Sequence, residues 1–278
     1  MLKIKVLMLV PNLFVANGVA SFVMNYLRNL DHDEVQVDIA SYKEGTSIYY
    51  AEVENAGGKV FFLPGIRNLH EHVKVCNKIL SEGQYDIVHD NTLHISIPMM
   101  WRAKRKGISV RILHSHNAKM GETILKEMRN KLVLPVLRGL ATDFVACSDK
   151  AGKAMFGKSS FDIIPNVITT TRYNFDEDVR FEVREQMKAA DKFVVGTVGR
   201  LAEQKNPFFA MDVFECLQKQ VQNAEYWWVG SGPLEKSVQD YINQKGLSEN
   251  VRILGSRDDV TDLYQGMDVF FLPSLFEG

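Results

Sequence analysis

Phe193-Val194-Val195-Gly196-Thr197-Val198-Gly199-Arg200-Leu201, continued by Ala202-Glu203-Gln204-Lys205-Asn206-Pro207, reads as an apolar strand running through a short loop into a helix that Asn206 can cap. Its apolar residues stand at consecutive positions and do not alternate, the pattern of a strand covered on both faces by helices. The same grammar recurs outward in both directions. Toward the N-terminus, strands are expected at residues 4–10, 35–41, 59–63, 86–89, 110–114, 143–147 and 161–164; toward the C-terminus, at 226–229, 251–254 and 268–272. Amphipathic stretches lie between them. In the first, Val19, Phe22, Val23, Tyr26, Leu27 and Leu30 recur at helical spacing and lay an apolar stripe onto the sheet. Strand–helix alternation of this kind implies an α/β fold of doubly wound parallel sheets with right-handed crossovers.

The alternation breaks once. Ile164-Pro165-Asn166-Val167 ends a strand, and residues 169–178 are polar, with three consecutive threonines and an acidic cluster. The domain boundary is therefore expected near residues 168–175, dividing the chain into 1–170 and 171–278. A length of 278 residues suits two domains at roughly 150 residues each. The first half holds seven strands, a complete doubly wound domain. The second holds four and stops after a strand at Phe276-Glu277-Gly278, so it reads as incomplete, with a surface open to self-association.

A formal net charge of −1 excludes a broad nucleic-acid groove, so any phosphate binding must be local. Cys76, Cys147 and Cys216 form no CxxC pair and suit buried thiols in a reducing cytosol. No apolar run approaches the roughly 20 residues of a membrane span. The start, Met1-Leu2-Lys3-Ile4-Lys5-Val6, is broken by charges and reads as the lead into a strand rather than a signal peptide. A cytoplasmic location is expected.

In open α/β sheets ligands gather outside the carboxyl ends of the strands, so the residues there are the ones to read. After the first strand come Pro11-Asn12 and then Asn17-Gly18-Val19-Ala20, a turn into a helix whose first amides suit an anion or a sugar hydroxyl. It is not a GxGxxG, and Gly18 alone also reads as an ordinary turn glycine. His89 ends Asp86-Ile87-Val88-His89, His94 opens the next helix, and His114-Ser115-His116-Asn117 ends the fifth strand. A His-x-His pair with two further histidines raises zinc, but no Cys, Asp or Glu stands at ligand spacing. For His89, hydrogen bonding to neighbouring backbone is the plainer expectation. The polar run from His114 to Asn117 points instead to a wet cleft.

In the second half, Arg200 and Lys205 flank one strand-to-helix loop, where two cations and a helix N-terminus suit a pyrophosphate. Solvated loop cations are the alternative. Trp228-Val229-Gly230-Ser231-Gly232-Pro233-Leu234 ends a strand in a turn whose glycines let backbone approach a ligand closely or simply turn the chain. Leu272-Pro273-Ser274-Leu275-Phe276-Glu277-Gly278 sets a carboxylate after the last strand. Asp31-His32-Asp33 falls at the amino end of a strand and reads as a solvated turn, and Asp258-Asp259 as first-turn helix charge.

Together these segments, with Val145-Ala146-Cys147-Ser148, resemble the retaining glycosyltransferases of family 4, above all bacterial members that build capsular and exopolysaccharides. The resemblance covers essentially the whole chain and rests on the order and spacing of the motifs. It implies the GT-B fold, two Rossmann-like domains facing a cleft, with the acceptor on 1–170 and the nucleotide-sugar donor on 171–278. It also implies roles. Arg200 and Lys205 would bind the donor diphosphate, Glu277 would be the first carboxylate of an E-x7-E element holding sugar hydroxyls, His114 would stand near the reacting centre, and Gly18 would lie beneath the diphosphate. Gly230 and Gly232 fall on the donor side; Asn17, His89, His116 and Asn117 fall on the acceptor side. The implied reaction moves a sugar from a UDP-sugar to a glycan or lipid-linked acceptor by front-face attack, with no metal or cofactor. The second carboxylate of E-x7-E falls beyond residue 278, so this polypeptide is expected to bind nucleotides weakly and to be inactive.

Other classes remain open. A glycogen-phosphorylase-like enzyme shares the implied fold but needs a lysine for pyridoxal phosphate and a longer chain. A non-catalytic sugar-nucleotide-binding protein would keep the phosphate cations and lose acceptor features. The absence of GxGxxG after either first strand disfavours a nicotinamide dehydrogenase. Finally, Lys104, Arg105 and Lys106, with Lys119, Lys126, Arg129, Lys131 and Arg138, form a basic stretch around Trp101 and Met120. It reads as a solvated helix face or, for a lipid-linked acceptor, as a peripheral contact with anionic headgroups at the inner face of a membrane.

Overall fold

The computed structural model describes residues 3–15, 17–121 and 124–277; Met1 and Leu2 of the expected strand lead and Gly278 of the last motif lie outside the described residues. The chain divides into two compact units, one ending at Ile168 and the other spanning Thr169–Glu277.

The first unit alternates strand and helix: β1 Ile4–Val10, α1 Gly18–Leu27, β2 Val35–Ser41, α2 Ile48–Asn55, β3 Val60–Phe62, α3 Leu69–Gly83, β4 Ile87–Asp90, α4 Ile97–Arg105, β5 Val110–Ser115, α5 Ile124–Leu140, β6 Asp143–Ala146, α6 Asp149–Phe156 and β7 Asp162–Ile163. The seven strands pair in parallel in the order β3-β2-β1-β4-β5-β6-β7. Successive side chains of β1 feed two cores. Leu7 and Leu9 join Val88, Met99 and Met100 on one face, while Val6, Met8 and Val10 join Phe22, Val23 and Ile39 on the other. From Val6 to Val10 helices cover both faces and every position is buried, so none is left for a polar residue, hence the unbroken apolar run of that stretch.

The second unit repeats the plan with fewer strands: α7 Glu177–Gln186, β8 Phe193–Val198, α8 Pro207–Gln218, β9 Ala224–Val229, α9 Glu235–Gln244, β10 Val251–Gly255, α10 Val260–Gly266 and β11 Val269–Phe270. Its sheet is parallel in the order β10-β9-β8-β11. On β9, Ala224, Tyr226 and Trp228 pack toward Phe214, while Trp227 and Val229 pack toward Val183 and Leu263. Glu225 shares that second face and is buried, but its carboxylate accepts from Trp227 Nε1 at 2.6 Å and pairs with Arg252 at 2.8 Å. A buried charge so partnered avoids most of the penalty of desolvation.

The expected strands all form, with ends shifted by up to two residues. The last shrinks most, from 268–272 to Val269–Phe270. Phe271 N still donates to Gly196 O at 2.8 Å, but Pro273 has no N–H to continue a ladder. Three smaller expectations are corrected. Asn206 occupies the cap position of α8 in a left-handed conformation (φ 51°, ψ 53°) and its side chain makes no capping bond. Asp259 stands at the cap of α10 rather than in its first turn, and its carboxylate is bound by Arg257 at 2.5 Å. Cys216 is exposed, unlike Cys76 and Cys147. Asp31-His32-Asp33 forms a turn just ahead of β2, with Asp33 N donating to Asp31 Oδ1 at 2.8 Å.

Candidate functional site

Both sheets reverse their strand order beside their first strand, between β1 and β4 in one unit and between β8 and β11 in the other. Crevices at the carboxyl ends of such switch points are where open α/β sheets hold ligands. Each unit places its chemistry there.

In the second unit the loop after β8 is stapled to the loop after β9. Leu201 N donates to Ser231 O at 3.2 Å, Leu234 N donates to Leu201 O at 3.0 Å, and Trp228 Nε1 donates to Gly199 O at 2.9 Å. The glycines make this possible. A Cβ on Gly230, whose φ is +134°, would lie 2.2 Å from Gly199 O, and one on Gly232 would lie 2.2 Å from Leu201 O. The close approach that Gly230 and Gly232 permit is thus to the neighbouring loop. Lys205 lays its stem beside Gly199 and donates from Nζ to Glu277 Oε1 at 2.5 Å. The segment after β11 is held against the same loop, with Leu275 N bonded to Gln204 O at 2.8 Å and Gln204 Nε2 to Phe276 O at 3.0 Å. Arg200, exposed, stands on the loop between these anchors. The five residues singled out in this half therefore gather at one end of one sheet, where Lys205 and Glu277 form a single ion pair. An anionic ligand would take Lys205 from Glu277. The first amides of α8 have no side-chain cap and add positive potential at the same end.

The first unit contrasts with this. At the start of α1, Asn17 Oδ1 accepts from Val19 N at 2.9 Å and Ala20 N at 3.1 Å, so the amides expected to meet an anion are satisfied by the chain itself. Gly18 is exposed, with open space around its Cβ position. Replacing Asn17 with alanine removes both bonds and is expected to lower the stability of this unit by about 1 kcal/mol. An unchanged urea midpoint would show that the cap contributes nothing.

Beyond α1 lies a stack of rings. His114 and His116 lie 4.0 Å apart and nearly parallel, His89 stacks on His114 at 5.2 Å, and Phe22 meets both His114 and His116 edge-on at 4.9 Å. His89 Nε2 lies 3.0 Å from His114 Nδ1, so His89 is satisfied by a ring and not by neighbouring backbone as expected. His116 Nε2 lies 2.8 Å from Asn91 Oδ1. The run His114–Asn117 is not uniformly wet: His114 is 2% exposed and Ser115 is buried, while His116 is half-buried and only Asn117 is exposed. His114 Nε2 is buried without a hydrogen-bond partner. Burial holds all three imidazoles neutral, pushing His89 down to about 4, His116 to about 3 and His114 to about 2, with the neighbouring rings adding to the shift of the last two.

Asp90 was missed in the sequence, one residue past the expected end of β4. It is fully buried and accepts from Thr92 N at 2.8 Å, Thr92 Oγ1 at 2.7 Å and the hydroxyl of Ser96. Burial lifts its carboxyl to about 6 against the opposing pull of those bonds. A carboxylate at a strand end with hydroxyls two and six residues on is a readable turn signal. Among the described residues, no group of three or more His, Cys, Asp or Glu is placed to hold a metal ion.

Two parallel α/β units, each with its first strand between its second and fourth, define a protein of the GT-B class, built from two Rossmann-like domains. Residues 16–172 match the family model Glycosyltransferase Family 4, and residues 178–278 match Glycosyl transferases group 1. The chain belongs to Glycosyltransferase Family 4. EpsF of Bacillus subtilis (strain 168) is 29% identical over 274 residues, covering 94% of this chain and 71% of EpsF. The capsular polysaccharide biosynthesis glycosyltransferase CapH of Staphylococcus aureus is 24% identical over 207 residues, covering 72% of this chain and 56% of CapH. Among solved structures, HepE of Anabaena in complex with UDP-glucose shares the fold with a TM-score of 0.79 at 18% identity, over 98% of this chain and 74% of HepE.

Proposed function

We propose that this glycosyltransferase moves a sugar from a nucleotide-sugar of the UDP class to a glycan or lipid-linked acceptor, with retention of configuration, in building a bacterial polysaccharide. The second unit takes the donor and the first unit the acceptor. The observation that carries the reading is the gathering of Arg200, Lys205 and Glu277 at the carboxyl ends of β8 and β11, beside an uncapped helix N-terminus. It is supported by the nucleotide-sugar bound to HepE and by the polysaccharide role stated for CapH. Breaking the bond from sugar C1 to phosphate leaves charge on the diphosphate and oxocarbenium character on the sugar. Arg200 and Lys205 stabilise the departing diphosphate, the work a divalent cation does elsewhere. With no nucleophile assigned, the departing phosphate takes the acceptor's proton on the face it leaves. Of the residues of the first unit, Gly18 is proposed to meet the donor diphosphate and His114 to stand near the reacting centre, while Asn17, His89, His116 and Asn117 are proposed for the acceptor side. Calorimetry with UDP, GDP and UDP-sugars tests the donor class: binding of UDP unchanged by EDTA is expected, and binding only with added metal would overturn the reading.

Glu277 supplies a sharper test. Replacing Glu277 with glutamine removes the carboxylate that competes for Lys205, so UDP is expected to bind up to about five-fold more tightly, the scale of an exposed ion pair. Any preference for UDP-glucose over UDP should fall, because the sugar loses its acceptor. Weaker UDP binding in this variant would show that Glu277 positions Lys205 for phosphate instead.

A further inference from the structure

We propose that Gln204 is a positioning residue: it fixes the peptide link ahead of Glu277 and so holds that carboxylate where it meets the sugar of the donor. This role rests on the donor reading above and names what sets a sugar-bearing nucleotide apart from a bare one. The loop after β8 closes in a single 3₁₀ turn, Glu203–Lys205, in which Lys205 N donates to Ala202 O and Asn206 N to Glu203 O, each at 3.0 Å. Those bonds use the carbonyls of residues 202 and 203 and leave that of Gln204 for another donor. Glu203 is exposed, whereas Gln204 and Lys205 are half-buried. Gln204 O accepts from Leu275 N at 2.8 Å, Gln204 Nε2 donates to Phe276 O at 3.0 Å, and Lys205 Nζ donates to Glu277 Oε1 at 2.5 Å. Two consecutive residues thus grip three consecutive ones. The bond to Phe276 O matters most for Glu277. That carbonyl shares a rigid peptide plane with Glu277 N, so fixing it fixes the direction from which the Glu277 Cα departs.

The other end of the segment is anchored too. Phe271 N donates to Gly196 O at 2.8 Å, and Phe271 O accepts from the buried hydroxyl of Thr197 at 2.5 Å, which lies 2.5 Å from the Tyr226 hydroxyl. Between the anchors the ring of Pro273 locks its own φ. Ordering this strap costs conformational entropy, and a strap already ordered spares the ligand that cost. Lys205 alone does not achieve this. Its flexible stem lets the ammonium follow the carboxylate, and a part-exposed ion pair holds geometry weakly. Gln204 binds main chain instead, through its own carbonyl and its side-chain amide, and so sets direction as well as distance.

Calorimetry of the 278-residue chain with UDP and with UDP-glucose tests the role, alongside amide hydrogen exchange of the free chain. Methionine is close to glutamine in size and has no amide. In Gln204→Met the ratio of UDP-glucose affinity to UDP affinity is expected to fall about five-fold, the scale of one lost hydrogen bond, with UDP itself held no more weakly. Exchange at the Leu275 amide should quicken by a similar factor of about five, since its bond shares one short segment with the bond removed. In the Glu277→Gln background the same substitution should leave the ratio unchanged within about two-fold, because the carboxylate it positions is already gone. A ratio that keeps its original value in Gln204→Met, or that falls equally in both backgrounds, overturns the proposal. So does an equal weakening of UDP and UDP-glucose, the mark of a purely structural role. The exchange measurement needs no nucleotide. Faster exchange in Gln204→Met, in a chain whose unsubstituted form binds no UDP, would uphold the placement of Glu277 and overturn the donor reading instead.

Discussion

Replacing Arg200 or Lys205 with alanine, in a chain that also carries the second carboxylate of the E-x7-E element, is expected, on the proposed reading, to lower sugar transfer by about 100-fold, the scale of losing one preorganised donor to a developing negative charge. UDP affinity, read by calorimetry, should fall roughly 10- to 100-fold in each variant, as for a lost charge-assisted hydrogen bond. The two need not behave alike. Lys205 is held in place by Glu277 and by the backbone of Gly199, so the alanine variant also releases a carboxylate beside the ligand. Lys205→Ala is therefore expected to be the more damaging for UDP. Folding should be nearly unaffected, because neither side chain belongs to a core cluster. Wild-type affinity in both variants would remove the diphosphate from this end of the sheet.

The second large effect is one of pH on the first unit. An unfolded histidine takes its proton near pH 6.5, whereas His89, His114 and His116 stay neutral in the fold down to about 4 or below. Between those limits the unfolded chain binds more protons, so stability falls as pH drops through the window. Asp90 opposes this. Its folded carboxyl titrates near 6, above the unfolded value, so it binds its proton earlier in the fold and favours it in the same range. Three groups against one leave a net loss of about 4 kcal/mol between pH 7 and pH 5. Urea unfolding followed through Trp101, the tryptophan of this unit, reads it. Asp90→Asn should steepen the dependence and His116→Gln should flatten it. A midpoint flat from pH 7 to pH 5 would mean that the rings are open to protons in the folded state.

Much of the architecture is legible in residues because burial on both faces writes itself as consecutive apolar letters, as in β1 and β8. The switch-point positions were legible too, since Arg200, Lys205, Gly230, Gly232 and Glu277 all follow strand ends. What pairs with what was not. His89 lies opposite Ile112 in the ladder, which puts His114 two residues farther along on the same face, and that depends on register between strands 25 residues apart. The role of Gly230 and Gly232 was hidden for a similar reason: the carbonyls they accommodate belong to a loop 31 residues earlier in the chain. On α5 both faces are apolar, with Leu125 and Leu132 exposed and Leu134 and Leu137 buried, and periodicity alone does not say which side faces inward.

The bond from Trp228 Nε1 to Gly199 O has an optical consequence. Indole emission responds to hydrogen bonding and local polarity, and this indole is tied to the carbonyl directly before Arg200. A ligand that moves the loop changes its emission with no label attached. Trp101, exposed on α4 in the first unit, emits from a different environment. Trp227 is sealed in the sheet beside Glu225 and supplies a constant background. One emission spectrum, separated by quenching with iodide, thus reads the loop before Arg200 and the outer face of α4 independently.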